Sequence, residues 1–300
     1  MRRLRSLYSV TARPSPAAAL VLAVLPFLLV FGGDLVAAEI RHAANPRDKI
    51  MPTLAKMIDG FREAAFEPDP GNRDEPAADL GGLPAWRRAF VKVKQSGVAR
   101  SQLLNDTLVS GRRFVISVAL LSVAVLVGLH MGCLRYVEAG LLRFILLLDK
   151  IPAVALLPIL FLVFGVDEAS KIVFAFIGVF PTVALDTYQQ VKAVPQEQVT
   201  KALTLAASDF EVAYHMILPK IMPKVLNTIR LNFKAIIGFL IFAETIAASE
   251  GLGYRIFQSM RYLKMSTILP YVAWISLLAF LADFGLRLWI SKMYPWADRD

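Results

Sequence analysis

Six apolar runs, each near the length needed to cross a bilayer, dominate the chain: 17–38, 114–134, 141–164, 169–188, 226–248 and 268–290. A helix rises ~1.5 Å per residue and the hydrocarbon core is ~30 Å thick, so a crossing takes about 20 mostly apolar residues. The third run carries Asp149 and Lys150, the fifth Arg230, Lys234 and Glu244, and the sixth Asp283 and Arg287. Over all 300 residues, 56% are apolar and 19% charged, against ~25% charged in soluble domains. This excludes disorder and argues against an ordinary soluble enzyme. Cys133 is the single cysteine, and His42, His130 and His215 are scattered, so disulfide scaffolds and structural zinc drop out. A net charge of +9 would suggest nucleic acid for a soluble protein, but on this apolar background it points to a membrane. The expected class is all-α, a polytopic helical membrane protein with about six transmembrane helices.

Lys and Arg concentrate on cytoplasmic loops near membrane crossings. Arg2, Arg3, Arg5 and Arg13 therefore place the N-terminus inside, and six spans return the C-terminus there too. The 135–143 turn and the loop with Lys192, Lys201, Lys220 and Lys224 then fall inside as well. Segment 250–265 breaks the pattern, because it would lie outside with Arg255, Arg261 and Lys264. The first run has an alternative reading as a cleavable secretory signal ending at Val36-Ala37-Ala38. The expected organisation is a tail and first span over 1–38, an extracytoplasmic polar region over 39–111, a membrane core over 112–291 and a short cytoplasmic tail over 292–300. Within the polar region, Leu54, Met57, Phe61 and Ala64 recur at helical spacing, prolines and glycines between 68 and 84 mark a loop, and 86–105 reads as a second surface helix. This region reads as a packing collar around the spans and not as a ligand-binding domain.

The loop at 195–223 is the most structured polar segment. Pro195 suits a first helical position, and Val199, Ala202 and Ala206 form an apolar stripe on a helix ending near Ala207. Ser208 with Glu211 is a capping-box pattern that starts a second helix, with Phe210, Ala213 and Ile217 on one face. Pro219 is expected to close that helix. Two short helices would thus meet at a bend, serving either as an interfacial linker or as a knob docking into a partner's groove. DNA binding is disfavoured by the membrane tethers.

Leu205-Ala206-Ala207-Ser208, Ile217-Leu218-Pro219 and Pro223 resemble the coupling loop of permease subunits from binding-protein-dependent ABC importers. The resemblance runs from about Arg112 to Ile290, through Ile151-Pro152-Ala153-Val154-Ala155-Leu156-Leu157-Pro158, Phe164-Gly165, Phe180-Pro181, Arg230, Ala243-Glu244 and Gly251-Leu252-Gly253-Tyr254, and is to the nitrate, sulfonate and taurine branch. Thr200-Lys201-Ala202 and Ala206 stand where that family shows Glu-Ala-Ala followed by Gly, and Asp186-Thr187 where Asn-Thr is common. The resemblance implies a cytoplasmic coupling loop, with Thr200, Lys201, Ala202, Ala206, Ala207, Ser208, Glu211 and Pro219 facing a separate ATPase. It also implies two ATPase copies, an extracytoplasmic solute-binding protein, a second permease copy in a homodimer, and the inner membrane as location.

The sequence carries no GxxxxGK[ST] phosphate loop, and no motif suggests a nucleophile beside a base, so neither ATP hydrolysis nor other catalysis is expected of this chain, nor any cofactor. A charge at the centre of a span costs roughly 2.5 to 3.5 kcal/mol. Lys150, Asp186, Lys234 and Glu244 are therefore candidates for a translocation pathway, with the two lysines attracting a small oxyanion. Snorkelling is the rival reading for Lys234. Asp283 and Arg287, four apart, read as a pair on one helix face. An ATPase-independent channel or carrier, or a membrane scaffold, are the alternatives at this point.

Overall fold

The structure, a computed structural model, describes residues 52–66, 102–296 and a few isolated positions before residue 52. Nearly all of the first apolar run, the proline-glycine loop and nearly all of the 86–105 segment lie outside the described residues. Among the described residues all regular structure is helical: α1 (Leu54–Phe66), α2 (Gln102–Cys133), α3 (Arg135–Lys150), α4 (Ala153–Phe164), α5 (Glu168–Lys192), α6 (Gln196–Thr204), α7 (Asp209–Ala247), α8 (Leu252–Arg261) and α9 (Met265–Met293). Helices α2, α5, α7 and α9 are each long and apolar enough to cross a membrane.

The third expected span is not one straight helix. α3 and α4 meet at 103° and reach span length only together. The break follows from Pro152, which has no N–H and keeps the preceding residue out of helical geometry. Ile151 is accordingly extended, with ψ of 122°.

α2 and α5 form the tightest pair. A Cβ on Gly128 would lie 2.4 Å from the Ala184 carbonyl oxygen, so the two backbones approach where no side chain fits. Leu121, Ala124, Val183 and Ala184 fill this seam, and Val225 and Ile236 of α7 complete the core. α1 forms as its spacing predicts. Phe61 and Ala64 pack with Leu103, Leu252 and Tyr271, while Leu54 stays exposed.

α7 overturns the expectation that Pro219 ends a short helix. Backbone bonding widens to π geometry over Val212–Ile217, and the Leu218 N–H donates to the Ala213 carbonyl five residues back. α-helix resumes at Leu218, and Pro219 follows the widened turn directly. The capping-box helix is therefore the first turn of a span candidate, and the chain continues through it to Ala247.

Candidate functional site: a buried ionic lock and an exposed elbow at opposite ends of the bundle

Near the start of α2, Arg113 is 2% exposed and Glu244 of α7 has no exposed surface. Arg113 Nη1 donates to Glu244 Oε1 at 2.6 Å, and its Nε donates to Glu168 Oε2 at 2.7 Å. Ser110 donates to Glu244 at 2.7 Å, and Lys171 pairs with Glu168 at 2.9 Å. One guanidinium thus ties α2 to the first residue of α5 and to the end of α7.

The segment Gly251-Leu252-Gly253 builds the rest of this cradle. It opens α8, so its amide donors are the free ones of a helix start. The Gly253 N–H donates to Glu244 Oε2 at 2.8 Å, the Leu252 N–H to Ser110 Oγ at 2.9 Å and the Gly251 N–H to Asp106 Oδ1 at 3.0 Å. Gly251 has φ of 125°, and a Cβ there would lie 2.8 Å from Arg113 Nη1 and from Glu244 Cδ. A glycine-rich helix start that elsewhere holds phosphate holds a carboxylate of the protein itself. Asp106 is also fully buried and accepts from Arg255 at 3.0 Å and from Tyr271 at 3.2 Å. This accounts for two of the three cations of 250–265. Arg255 is a core ion-pair partner, and Arg261 lies over the Phe257 ring at 4.5 Å.

The four polar pathway candidates do not gather in one place. Glu244 belongs to the lock. Asp186 accepts from Thr228 Oγ1, tying α5 to α7. Lys234 is exposed on α7. Lys150 is at the α3–α4 break, 77% exposed and 3.3 Å from Asp149. A cavity of about 400 Å³ opens at that break, lined by Asp149, Ile151, Leu156, Phe176, Phe180, Thr182 and Phe239 among others. Asp149, not Lys150, supplies its charge, and Thr182 donates to Asp149 at 3.3 Å. Asp283 pairs with Arg230 of α7, both carboxylate oxygens at 2.8 Å from Nη1. This replaces the expected Asp283–Arg287 pair, since a guanidinium on a facing helix reaches both oxygens at once.

At the other end, roughly 25 Å further along α2, stands the 195–223 loop. Val199, Ala202 and Ala207 pack on the core, whereas Ala206, expected on that stripe, turns outward. Ala206 has φ of 62°, and the Ala207 N–H donates back to the Ala202 carbonyl at 3.1 Å. This is the left-handed helix stop usually made by glycine, and it turns the chain between α6 and α7. The Ser208–Glu211 capping box forms in full. Thr200 Oγ1 donates to the Gln196 carbonyl, Lys201 projects outward, and Lys220 donates to Gln198, closing the base of the elbow. Pro219 is exposed beside that contact. The outer surface presents Leu203, Leu205 at 84% exposure and Phe210 at 63%. Phe210 stacks on Tyr214, whose hydroxyl bonds His130 Nε2 at 3.2 Å.

Of the lock, only Glu244 is among the expected site residues, there as a pathway charge, although Asp106, Ser110 and Arg113 recur at three- and four-residue steps along one helix face. That periodicity next to an apolar run was the available signal. Glu168 gives no such sign in sequence.

A bundle of bilayer-length helices, broken at one span, locked at one end and bearing a rigid exposed elbow at the other, is the architecture of a helical membrane transport subunit. Residues 121–293 match the family of binding-protein-dependent transport system inner membrane components, and the chain belongs to that family. It is similar to the taurine transport system permease protein TauC of Escherichia coli K12, 34% identical over 170 residues, covering 57% of this chain and 62% of TauC. A match of that extent spans less than two thirds of TauC. It is 31% identical over 202 residues to a probable ABC transporter permease protein of Brucella abortus, covering 66% of this chain and 80% of the relative. The putative aliphatic sulfonates transport permease SsuC of E. coli is 29% identical over 160 residues, 52% of this chain and 61% of SsuC. In fold, it resembles a chain of the MetNI methionine ABC transporter solved in an inward-facing conformation, with TM-score 0.57, 16% identity, and coverage of 66% of this chain and 99% of that one.

Proposed function

We propose that this chain forms the transmembrane pathway of an ABC importer for a small anionic solute of the taurine, sulfonate or nitrate kind, and that a separate ATPase drives it through the elbow at 195–223. The observation that carries this reading is the exposed apolar pair Leu205 and Phe210. A soluble partner would bury such a surface, and the elbow behind it is fixed by the capping box and the Gln198–Lys220 contact. Leu205 extends the α6 surface formed with Thr200 and Lys201, and Phe210 opens α7. A push on the elbow is therefore a push on a helix that continues, through Glu211 and Pro219, into the bundle.

Two ATPase copies and a homodimer of this chain complete the reading. The α4 face with Ile159, Leu162 and Val163 is exposed and apolar, suited to a second copy or to lipid. In this arrangement the elbow and both chain ends lie on the cytoplasmic side of the inner membrane, and the lock lies outside, with the 39–111 region and a solute-binding protein. Lys150 and Asp149, at the break beside the cavity, are the pathway charges with the best access, whereas Asp186 and Lys234 are peripheral to it. The chain supplies the path while ATP chemistry belongs to the partner. Moving a two-state transporter from 1:99 to 99:1 takes about 5.5 kcal/mol of differential binding, a scale within reach of nucleotide-driven closure of a partner.

Leu205→Glu combined with Phe210→Glu tests this. In membranes containing the chain and the ATPase subunit proposed to drive it, the double variant should insert normally and lose ATPase co-purification. Retained co-purification would overturn the docking role.

A further inference from the structure

A second polar feature lies beside the elbow and takes no part in the lock or the cavity. A cleft of about 770 Å³ opens between the end of α5, the middle of α7 and the end of α9, lined by Gln190, Lys224, Asn227, Arg230, Arg287 and Ser291 among others. Among the described residues three cations line it and no carboxylate does. Arg230 is held by Asp283 and by Asn227, at 2.9 Å from Nη2. Lys224 and Arg287 have no ion-pair partner among the described residues, so two cations face the opening without a salt bridge.

Depth is fixed by an independent feature. Gln190 is in the last turn of α5, and Arg287 and Ser291 are in the last two turns of α9. Trp289 on α9 and Trp296 just beyond it are exposed, and Tyr294 meets Trp296 edge-on at 5.3 Å. Tryptophan and tyrosine gather at the membrane–water boundary. The cleft therefore opens at head-group level, where a basic pocket between membrane helices attracts anionic lipid.

We infer that this cleft is a binding site for a phosphate-bearing anion, the head group of an anionic phospholipid such as phosphatidylglycerol or cardiolipin, held by Lys224 and Arg287 and by polar contacts from Gln190, Asn227 and Ser291. A lipid seated there bridges α5, α7 and α9 next to the elbow. The inference requires only that the helices span a bilayer and is independent of solute, ATPase and transport.

The test uses the full chain in lipid nanodiscs. Native mass spectrometry should show an anionic lipid retained by the wild type, and replacing part of the phosphatidylcholine with phosphatidylglycerol should raise the melting temperature by a few degrees. Lys224→Gln with Arg287→Gln should lower retention by about tenfold or more and abolish the shift. Lys224→Arg with Arg287→Lys should preserve both. Lys224→Gln alone, at an exposed unpaired position, should lower retention about fivefold and serves if the double variant inserts poorly. Inorganic phosphate added in pure phosphatidylcholine discs separates the sources. A shift that depends on Lys224 and Arg287 makes the ligand a soluble phosphate anion, and no shift leaves the lipid head group. Equal lipid retention by wild type and both neutralised variants would overturn the inference.

Discussion

Arg113 and Glu244, 131 positions apart in the chain, form a 2.6 Å ion pair with almost no solvent contact. The guanidinium also binds Glu168, and the carboxylate also takes the Gly253 amide. Removing Arg113 leaves Glu244 buried without a cation, at a cost of about 3–5 kcal/mol, and removing Glu244 leaves Arg113 buried with Glu168 alone, at a smaller cost. Arg113→Ala should therefore lower the melting temperature strongly in detergent or nanodiscs, and Glu244→Ala should lower it less. Arg113→Lys should rescue little, because an ammonium is a point charge without the planar fork that spans two carboxylates. A melting temperature within a degree or two of the wild type would show that the lock does not hold the bundle.

Gly251 should tolerate no side chain. Its Cβ would meet the Arg113 and Glu244 side chains at 2.8 Å, and its φ of 125° lies in a region costing a non-glycine residue about 1–3 kcal/mol. Gly251→Ala should lose folded protein on size-exclusion chromatography. Gly140→Ala, inside α3 with open space around it, should instead be neutral or gain up to ~1 kcal/mol.

Ala206 carries strain where a glycine would carry none. Ala206→Gly should stabilise the elbow by about 1 kcal/mol, the left-handed cost for an L-residue, and Ala206→Val should destabilise it. Hydrogen exchange at the 205–208 amides reads the difference. Faster exchange in the glycine variant would contradict it.

Pro152 sets the α3–α4 break beside the cavity. Pro152→Leu restores an N–H and frees Ile151 for helical geometry. The chain should still insert, while uptake by the assembled transporter in proteoliposomes falls at least tenfold, as expected when a mispositioned pathway loses more than about 1.4 kcal/mol of productive geometry. Unchanged uptake would remove the break from the pathway.

Much of the architecture was legible from local physics. Run length gave α2, α5 and the end of α7, period gave α1, and Ser208 with Glu211 gave the start of α7. Pro152 stands inside the run 141–164, which reads as one span because apolar length alone does not register a turn of 103°. Pro219 failed in the opposite sense. A proline need not end a helix: α7 passes Pro219 directly after the π turn at Val212–Ile217, and Pro181 and Pro223 also lie inside helices. α8 was missed because its start, Gly251-Leu252-Gly253, reads as a loop until its amides have an anion to hold.

The sequence by itself determined the bilayer-length apolar character of α2, α5, α7 and α9 and the helix restart at Ser208, since these depend on transfer energies, helix periods and caps acting within a few residues. Which charges pair was decided only by tertiary structure. Arg113 with Glu244 and Glu168, Arg230 with Asp283, and Arg255 with Asp106 are contacts between separate helices. A buried charge is stable only beside whichever partner the packing of whole helices brings within about 3 Å, and no local pattern encodes that distance.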